Sequence, residues 1–123
     1  MNHAATARNG ITNYVCSLVD AGSAAGILIY QDVQGNQVAK LTFSKPAFGS
    51  ANNGVATANA IIADNNAVGG TISQAAIKDS AGNTVFICTV TYQGGGGDIQ
   101  LNSTTVAVGQ QVVLNSLTYS APP

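Results

Sequence analysis

Four consecutive glycines, Gly94 to Gly97, stand before Asp98 in the stretch "TYQGGGGDIQL". Such a run can cradle a phosphate, hinge two domains or carry the chain from one strand to the next. A phosphate cradle needs a helix directly after the glycines, because the helix supplies amide donors and the positive end of its dipole. Here "IQLNSTTVAV" follows, which alternates and is β-branched, and no Lys-Ser/Thr pair accompanies it. The remaining segment is too short to form a second domain, so a hinge is also a poor fit. The run reads as a wide loop from a strand ending at Tyr92 to one beginning at Asp98-Ile99. On that reading Gly95 and Gly96 tolerate alanine without loss of folding.

The other groups able to do chemistry are few and scattered. There is no Glu, and the acids are Asp20, Asp32, Asp64, Asp79 and Asp98. Asp32, Asp64 and Asp79 stand in turn-forming contexts, and no spacing recommends a carboxylate pair or a calcium cage. Lys78 and Asp79 are adjacent, so in a strand they point to opposite faces. His3 is the only imidazole, and no Cys or His spacing suits a metal. Cys16 and Cys88 sit in apolar segments and read as small buried hydrophobes, with a disulfide left open. "NST" at Asn102–Thr104 matches a glycosylation sequon, but no secretory signal accompanies it. These residues point to a non-enzymatic protein with no cofactor and no metal.

Only 7% of the residues are charged, against about 25% in an average soluble domain. Arg8, Lys40, Lys45 and Lys78 are dispersed, which leaves no basic patch for nucleic acid. Hydrophobic residues make up 46%, enough for a core, yet the longest apolar runs are too short to cross a membrane. The first residues lack the pattern of a signal peptide, which places synthesis in a cytoplasm. A weakly charged surface packs against neighbours at small electrostatic cost. Composition therefore suits assembly and an uncharged monomer about equally.

The elements that must position these residues can be read in order. Ala4, Ala7, Ile11, Tyr14, Val15 and Leu18 recur at helical spacing. They predict a helix over 3–20, capped by Asn2 and stopped at Gly22. "GILIYQDV" and "QVAKLTF" form a hairpin across "QGN", with Ala39, Leu41 and Phe43 on one face. "SKPAFGSANNG" is a loop with a tight turn at Asn53-Gly54, and "VATANAIIA" is the next strand. "TISQAAIKD" pairs with "TVFICTVTY" across "SAGN", and the second of these reads as a central strand. The tail is expected to hold a short strand, a turn near "VGQ" and a long bulged last strand ended by Pro122-Pro123. The fold class is mainly β: an antiparallel β-sandwich or barrel of about seven or eight short strands with one N-terminal α-helix. It is one domain over 1–123, with the helix near 3–20 and the sandwich near 25–120, and no internal repeat is apparent.

Taken in order, "ARNGITNYVCSLVDAGSAAGILIY", "LTFSKPAFGSANNGVATANAI", "IKDSAGNTV" and "DIQLNSTTVAVGQQVVLNSLTY" resemble small virion structural proteins of tailed bacteriophages. The sharpest motifs are L-T-F-S-x-P-A-F-G and L-N-S-T-x-[VI]-x-x-G-Q-x-V. The resemblance implies a decoration or cement protein on the assembled capsid, often a trimer, with the major capsid protein as partner. Made in the host bacterial cytoplasm, it would then lie on the virion surface. The alternative is a tail, neck or fibre component with receptor- or glycan-binding loops. Candidate assembly contacts are Ile11, Tyr14, Leu18, Pro46 and Phe48. The helix stripe meets either its own sheet or a neighbour, and Phe48 is either a core plug or a contact anchor.

Overall fold

Two hairpins built to the same plan make most of the main sheet. The structure, a computed structural model, describes residues 2–121, so the expected Pro122-Pro123 stop lies outside the described residues. Strand β1 (Ile27–Gln31) turns into β2 (Gln37–Thr42), and β5 (Gln74–Lys78) turns into β6 (Thr84–Tyr92). With β7 (Ile99–Leu101) they form a five-stranded sheet in the order β2-β1-β5-β6-β7, curled into a half-barrel. Two short antiparallel ladders complete the fold: β3 (Val55–Thr57) with β9 (Thr118–Ser120), and β4 (Gly70–Thr71) with β8 (Thr105–Val106). Among the described residues the fold is mainly β with a single helix, α1 (Ala5–Val19).

An internal repeat, not expected from the sequence, underlies the two hairpins. "DVQGN" and "DSAGN" both follow Asp-x-x-Gly-Asn. In the first loop Asp32 Oδ1 accepts the N–H groups of Gln34 and Asn36, both at 2.9 Å, and Asp32 Oδ2 accepts the Asn36 amide at 3.2 Å. In the second, Asp79 Oδ1 accepts from Ala81 and Asn83 at 3.0 and 2.9 Å, and Oδ2 from the Asn83 amide at 3.1 Å. Gly35 and Gly82 take φ of 86° and 91°, a conformation glycine adopts without Cβ penalty. Each hairpin also carries a bulge just past the loop. Tyr30 pairs with Ala39 but Gln31 with Gln37, leaving Val38 over; Ile77 pairs with Phe86 but Lys78 with Thr84, leaving Val85 over. In this correspondence Ile29 matches Ala76, and the two are cross-strand partners. A local two-fold axis therefore passes between them and sends the two loops to opposite ends of the sheet.

The inner face carries Leu28, Tyr30, Ala39, Leu41, Ala75, Ile77 and Cys88, all buried. It packs on Cys16 and Val19 of α1, on Ala56, and on Val106, Val112 and Leu117. Phe43 and Phe48 join this core with ring centroids 5.8 Å apart. The outer edge of β2 is covered by the chain near residues 62–69. Thr42 and Ile62 exchange backbone bonds, Asp64 Oδ2 accepts the Lys40 N–H at 2.8 Å, and the Gly69 N–H reaches the Val38 carbonyl at 3.1 Å. This leaves β2 no open row of donors and acceptors.

Helix α1 departs from expectation in how it docks. Its N-cap is Ala4, without a side-chain cap bond, not Asn2. Gly22 does lie just beyond its end, at φ of 99°. The buried positions are Thr12, Cys16 and Val19, whereas Tyr14 is 66% and Leu18 37% exposed. The cause is polar. Asn53 and Gly54 both take positive φ in a two-residue turn closed by reciprocal Asn52–Val55 bonds, as the Asn-Gly pair predicts. The helix grips that turn. Asn9 Oδ1 accepts the Gly54 N–H at 2.7 Å, Thr12 Oγ1 donates to the Gly54 carbonyl at 2.7 Å, and Asn13 Oδ1 accepts the Ala51 N–H at 2.9 Å. The Ala121 N–H is shared between Thr12 Oγ1 and the Gly54 carbonyl. These bonds rotate the apolar stripe away from the sheet.

The tail is also more broken than predicted. Where one long strand was expected, Val112 makes an isolated bridge with Asp64 and only Thr118–Ser120 forms a strand. The inward positions do shift parity, from Val112 and Leu114 to Leu117 and Tyr119. The irregular stretch 113–117 produces the shift as the chain passes from one ladder to the next. "VATANAIIA" likewise keeps strand geometry only over Val55–Thr57.

Removing the Asn9 acceptor strands a Gly54 N–H that has no other partner among the described residues, whereas Thr12→Val leaves Gly54 and Ala121 bonded to each other. Asn9→Ala is thus expected to cost about 1–3 kcal/mol and Thr12→Val about 1 kcal/mol in urea unfolding. The reverse order would mean that the clamp is wrongly apportioned. Both loop carboxylates have lowered pKa values, first because of the Asn36 N–H for Asp32 and the Asn83 N–H for Asp79. Their stabilisation is complete above the ordinary carboxylate pKa, near pH 4, and is lost as pH falls through the lowered values. Asp32→Asn with Asp79→Asn should flatten the acid limb of a Tm-versus-pH profile, with comparable effects from each single change. An unchanged acid limb would count against this role.

Candidate functional site

The carboxylates face backbone amides instead of one another. Besides Asp32 and Asp79, Asp20 Oδ1 accepts the Ala47 N–H at 2.9 Å and Asp64 Oδ1 the Asn66 N–H at 2.9 Å. Asp98 Oδ2 accepts the Thr89 N–H at 3.0 Å. Among the described residues no group of three or more His, Cys, Asp or Glu could hold a metal ion. Cys16 and Cys88 are free thiols, both buried. Burial first, then the Asp20 charge for Cys16 and the Asp98 charge for Cys88, pushes each thiol up to about 11. Neither is a ready thiolate nucleophile at neutral pH. The Tyr30 hydroxyl is buried without a partner among the described residues, and its pKa is raised by burial and then by Cys88.

Of the candidate assembly contacts, the structure brings three together. Ile11, Tyr14 and Leu18 line one side of α1, half-buried in the first case and exposed in the other two. Pro46 is exposed beside the helix C-terminus. There Lys45 Nζ donates to the carbonyls of Asp20 and Gly22 at 3.0 and 2.8 Å, and the Ala47 N–H meets Asp20. This ammonium compensates the negative end of the helix dipole. Phe48 is buried against Phe43, so it is a core plug and not an open contact.

The glycine run is a loop, as expected, but it does not join antiparallel neighbours. Strand β7 pairs with β6 in parallel, Val90 beside Ile99 and Tyr92 beside Leu101. The chain must double back along β6, and it does so by folding over Thr91. The Gly95 N–H bonds the Tyr92 carbonyl at 2.9 Å, the Gly97 N–H bonds Thr91 Oγ1 at 3.0 Å, and the Asp98 N–H bonds Thr89 Oγ1 at 3.0 Å. A Cβ on Gly95 would lie 2.7 Å from Thr91 Cβ, and one on Gly97 2.9 Å from Thr91 Cγ2. Gly96 is open on all sides but has φ of 82°. The expectation that both Gly95 and Gly96 accept alanine is therefore corrected.

Beside this loop lies a trough that the sequence does not announce. One hollow of about 500 Å³ has Gln93, Gln100, Asn102, Gln110, Gln111 and Asn115 around it and Ile72, Val106 and Val112 beneath. None of its lining residues carries a charge. A second hollow of about 660 Å³ also touches Ile72 and is bounded by Val33, Thr91 and Tyr92. Val33 is 86% and Tyr92 60% exposed. Comparison with protein-family models, curated proteins and solved structures gives no match.

Gly95→Ala should cost about 1–3 kcal/mol through overpacking against Thr91. Gly96→Ala should cost about 1 kcal/mol through its backbone conformation alone, and Gly96→Asn less. Equal, negligible costs in chemical unfolding would restore the simpler picture of a loose loop.

Proposed function

We propose that this chain is a non-enzymatic virion structural protein. Its role on this reading is that of a capsid decoration, or cement, protein that binds the assembled head shell of a tailed phage as a homotrimer. Its partner is the major capsid protein. The observation that carries the reading is the open stripe of Ile11, Tyr14 and Leu18, which faces outward because α1 docks through its polar residues. Two exposed large side chains in register on a weakly charged surface suit burial against a neighbour. The resemblance of the sequence motifs to small phage virion proteins supplies the identity of that neighbour. A protein that binds only the assembled shell stabilises it by mass action over many copies.

A tail, neck or fibre component is the second reading, favoured by the uncharged trough next to the glycine loop. Antibody labelling of virions separates the two, since signal confined to the tail end excludes decoration.

Tyr14→Ser combined with Leu18→Ser should weaken attachment to expanded shells by at least about tenfold, since burying one such side chain contributes about 1.5–3 kcal/mol. The Tm of the isolated protein should stay within about 2 °C of the parent. A monomer with no affinity for shells of its own phage would sink the proposal.

A further inference from the structure

We propose that the trough between the glycine loop and residues 110–116 is a binding site for a neutral oligosaccharide. The inference does not depend on which virion surface carries the protein. Its hollow of about 500 Å³ falls in the usual range for small-ligand sites.

The chemistry of the lining selects the ligand class. Primary amides dominate the rim, and each offers two N–H donors and a carbonyl acceptor. Sugar hydroxyls both donate and accept, so an amide rim can match them in either sense. Three of the amides are held by the fold, Gln100 at both ends, since its Nε2 also donates to the Gly97 carbonyl at 3.5 Å, and Gln110 and Gln111 at one. Gln100 Oε1 accepts the Gly94 N–H at 3.1 Å, and Gln110 Oε1 accepts the Ala107 N–H at 2.9 Å. Gln111 Nε2 donates to Asn65 Oδ1 at 2.8 Å. Gln110 thus keeps its NH₂ and Gln111 its carbonyl for a ligand, already oriented, which lowers the entropy cost of binding. Gln93, Asn102 and Asn115 have no side-chain hydrogen bond among the described residues and add donors and acceptors that can adapt.

The floor supplies the second half of the match. Ile72, Val106 and Val112 are buried beneath the amides, an apolar base for the C–H face of a pyranose ring. Tyr92, next to Gln93 in sequence, lines the adjoining hollow and is 60% exposed, an aromatic platform for a further ring. The lining contains no Arg or Lys, so nothing offsets the charge of a phosphate, sulfate or uronate. Asp32, in the second hollow, is the one charged residue that lines either, and both of its oxygens already accept hydrogen bonds from its own loop.

The test is an NMR titration of the full chain with maltohexaose, cellohexaose and chitohexaose. A sulfated heparin hexasaccharide and an uncharged extended peptide serve as controls. The expected result is shifts of the Gln93, Asn102 and Asn115 side-chain amides and of Tyr92 by at least one neutral sugar at concentrations up to about 10 mM, which reaches a weak site with Kd near 1 mM. Asn102→Ala with Asn115→Ala should weaken that binding at least tenfold and leave Tm unchanged, since neither side chain has a bond in the fold to lose. No shift with any of the three neutral sugars overturns the proposal. So does equal binding of the sulfated sugar, and so does stronger binding of the peptide, which would make the trough a peptide groove. Shell attachment is measured separately, so either proposal can fail without the other.

Discussion

The turn at Asn53-Gly54 is the point on which the two ends of the chain close. Gly54 offers one N–H and one carbonyl, and the chain meets them from both sides with Asn9, Thr12 and Ala121. Only a residue with no Cβ fits there, because a side chain at its φ of 78° would strike Arg8. Once these bonds are made, the rotation of α1 about its axis is fixed, and with it which side chains reach the core. Cys16 and Val19 go in, and Tyr14 and Leu18 stay out. The outward stripe is a consequence of polar geometry and not of weak hydrophobicity.

A chain with so few charges has little use for ion pairs, and its acids act instead as substitutes for backbone carbonyls. Each satisfies N–H groups that turns and strand edges would otherwise leave unbonded. Asp32 and Asp79 close the two hairpins, Asp64 covers the edge of β2, Asp20 seats the loop after β2, and Asp98 pins the start of β7 to Thr89. Oxygens of all five carboxylates are thus engaged with the fold.

What could be read from the sequence is what local rules decide. Both hairpins, the inward face of Ala39, Leu41 and Phe43, the turn roles of Asp32, Asp64 and Asp79 and the Asn53-Gly54 turn follow from spacing and turn chemistry. Missed, though legible, was the repeated Asp-x-x-Gly-Asn followed two residues later by Val, which marks two hairpins with the same bulge. The helix face was not legible, because the residues that set it are bonded to a turn far along the chain. The parallel placement of β7 was hidden as well, since glycines announce a loop but not the direction in which it returns. The trough escaped notice because its amides are spread over 93–115 in a chain already rich in Asn and Gln. Only the broken path of residues 110–117 gathers them.

The clamp also sets an order on folding. Each hairpin closes over a five-residue loop whose Asp and Asn are neighbours in sequence, so both can form early and independently. The helix, by contrast, acquires its polar partners only when residues 51–54 have formed their turn, Gly54 lying 42 residues from Thr12, and Ala121, 109 residues away, adds a further bond. The first hairpin, complete at Thr42, can therefore pair while α1 is still unanchored. The apolar stripe takes its outward orientation once the 51–54 turn is gripped, and Ala121 then bonds both Thr12 and Gly54. The orientation of Tyr14 and Leu18 is thus set by a turn that precedes the second hairpin in the chain and does not depend on that hairpin's pairing.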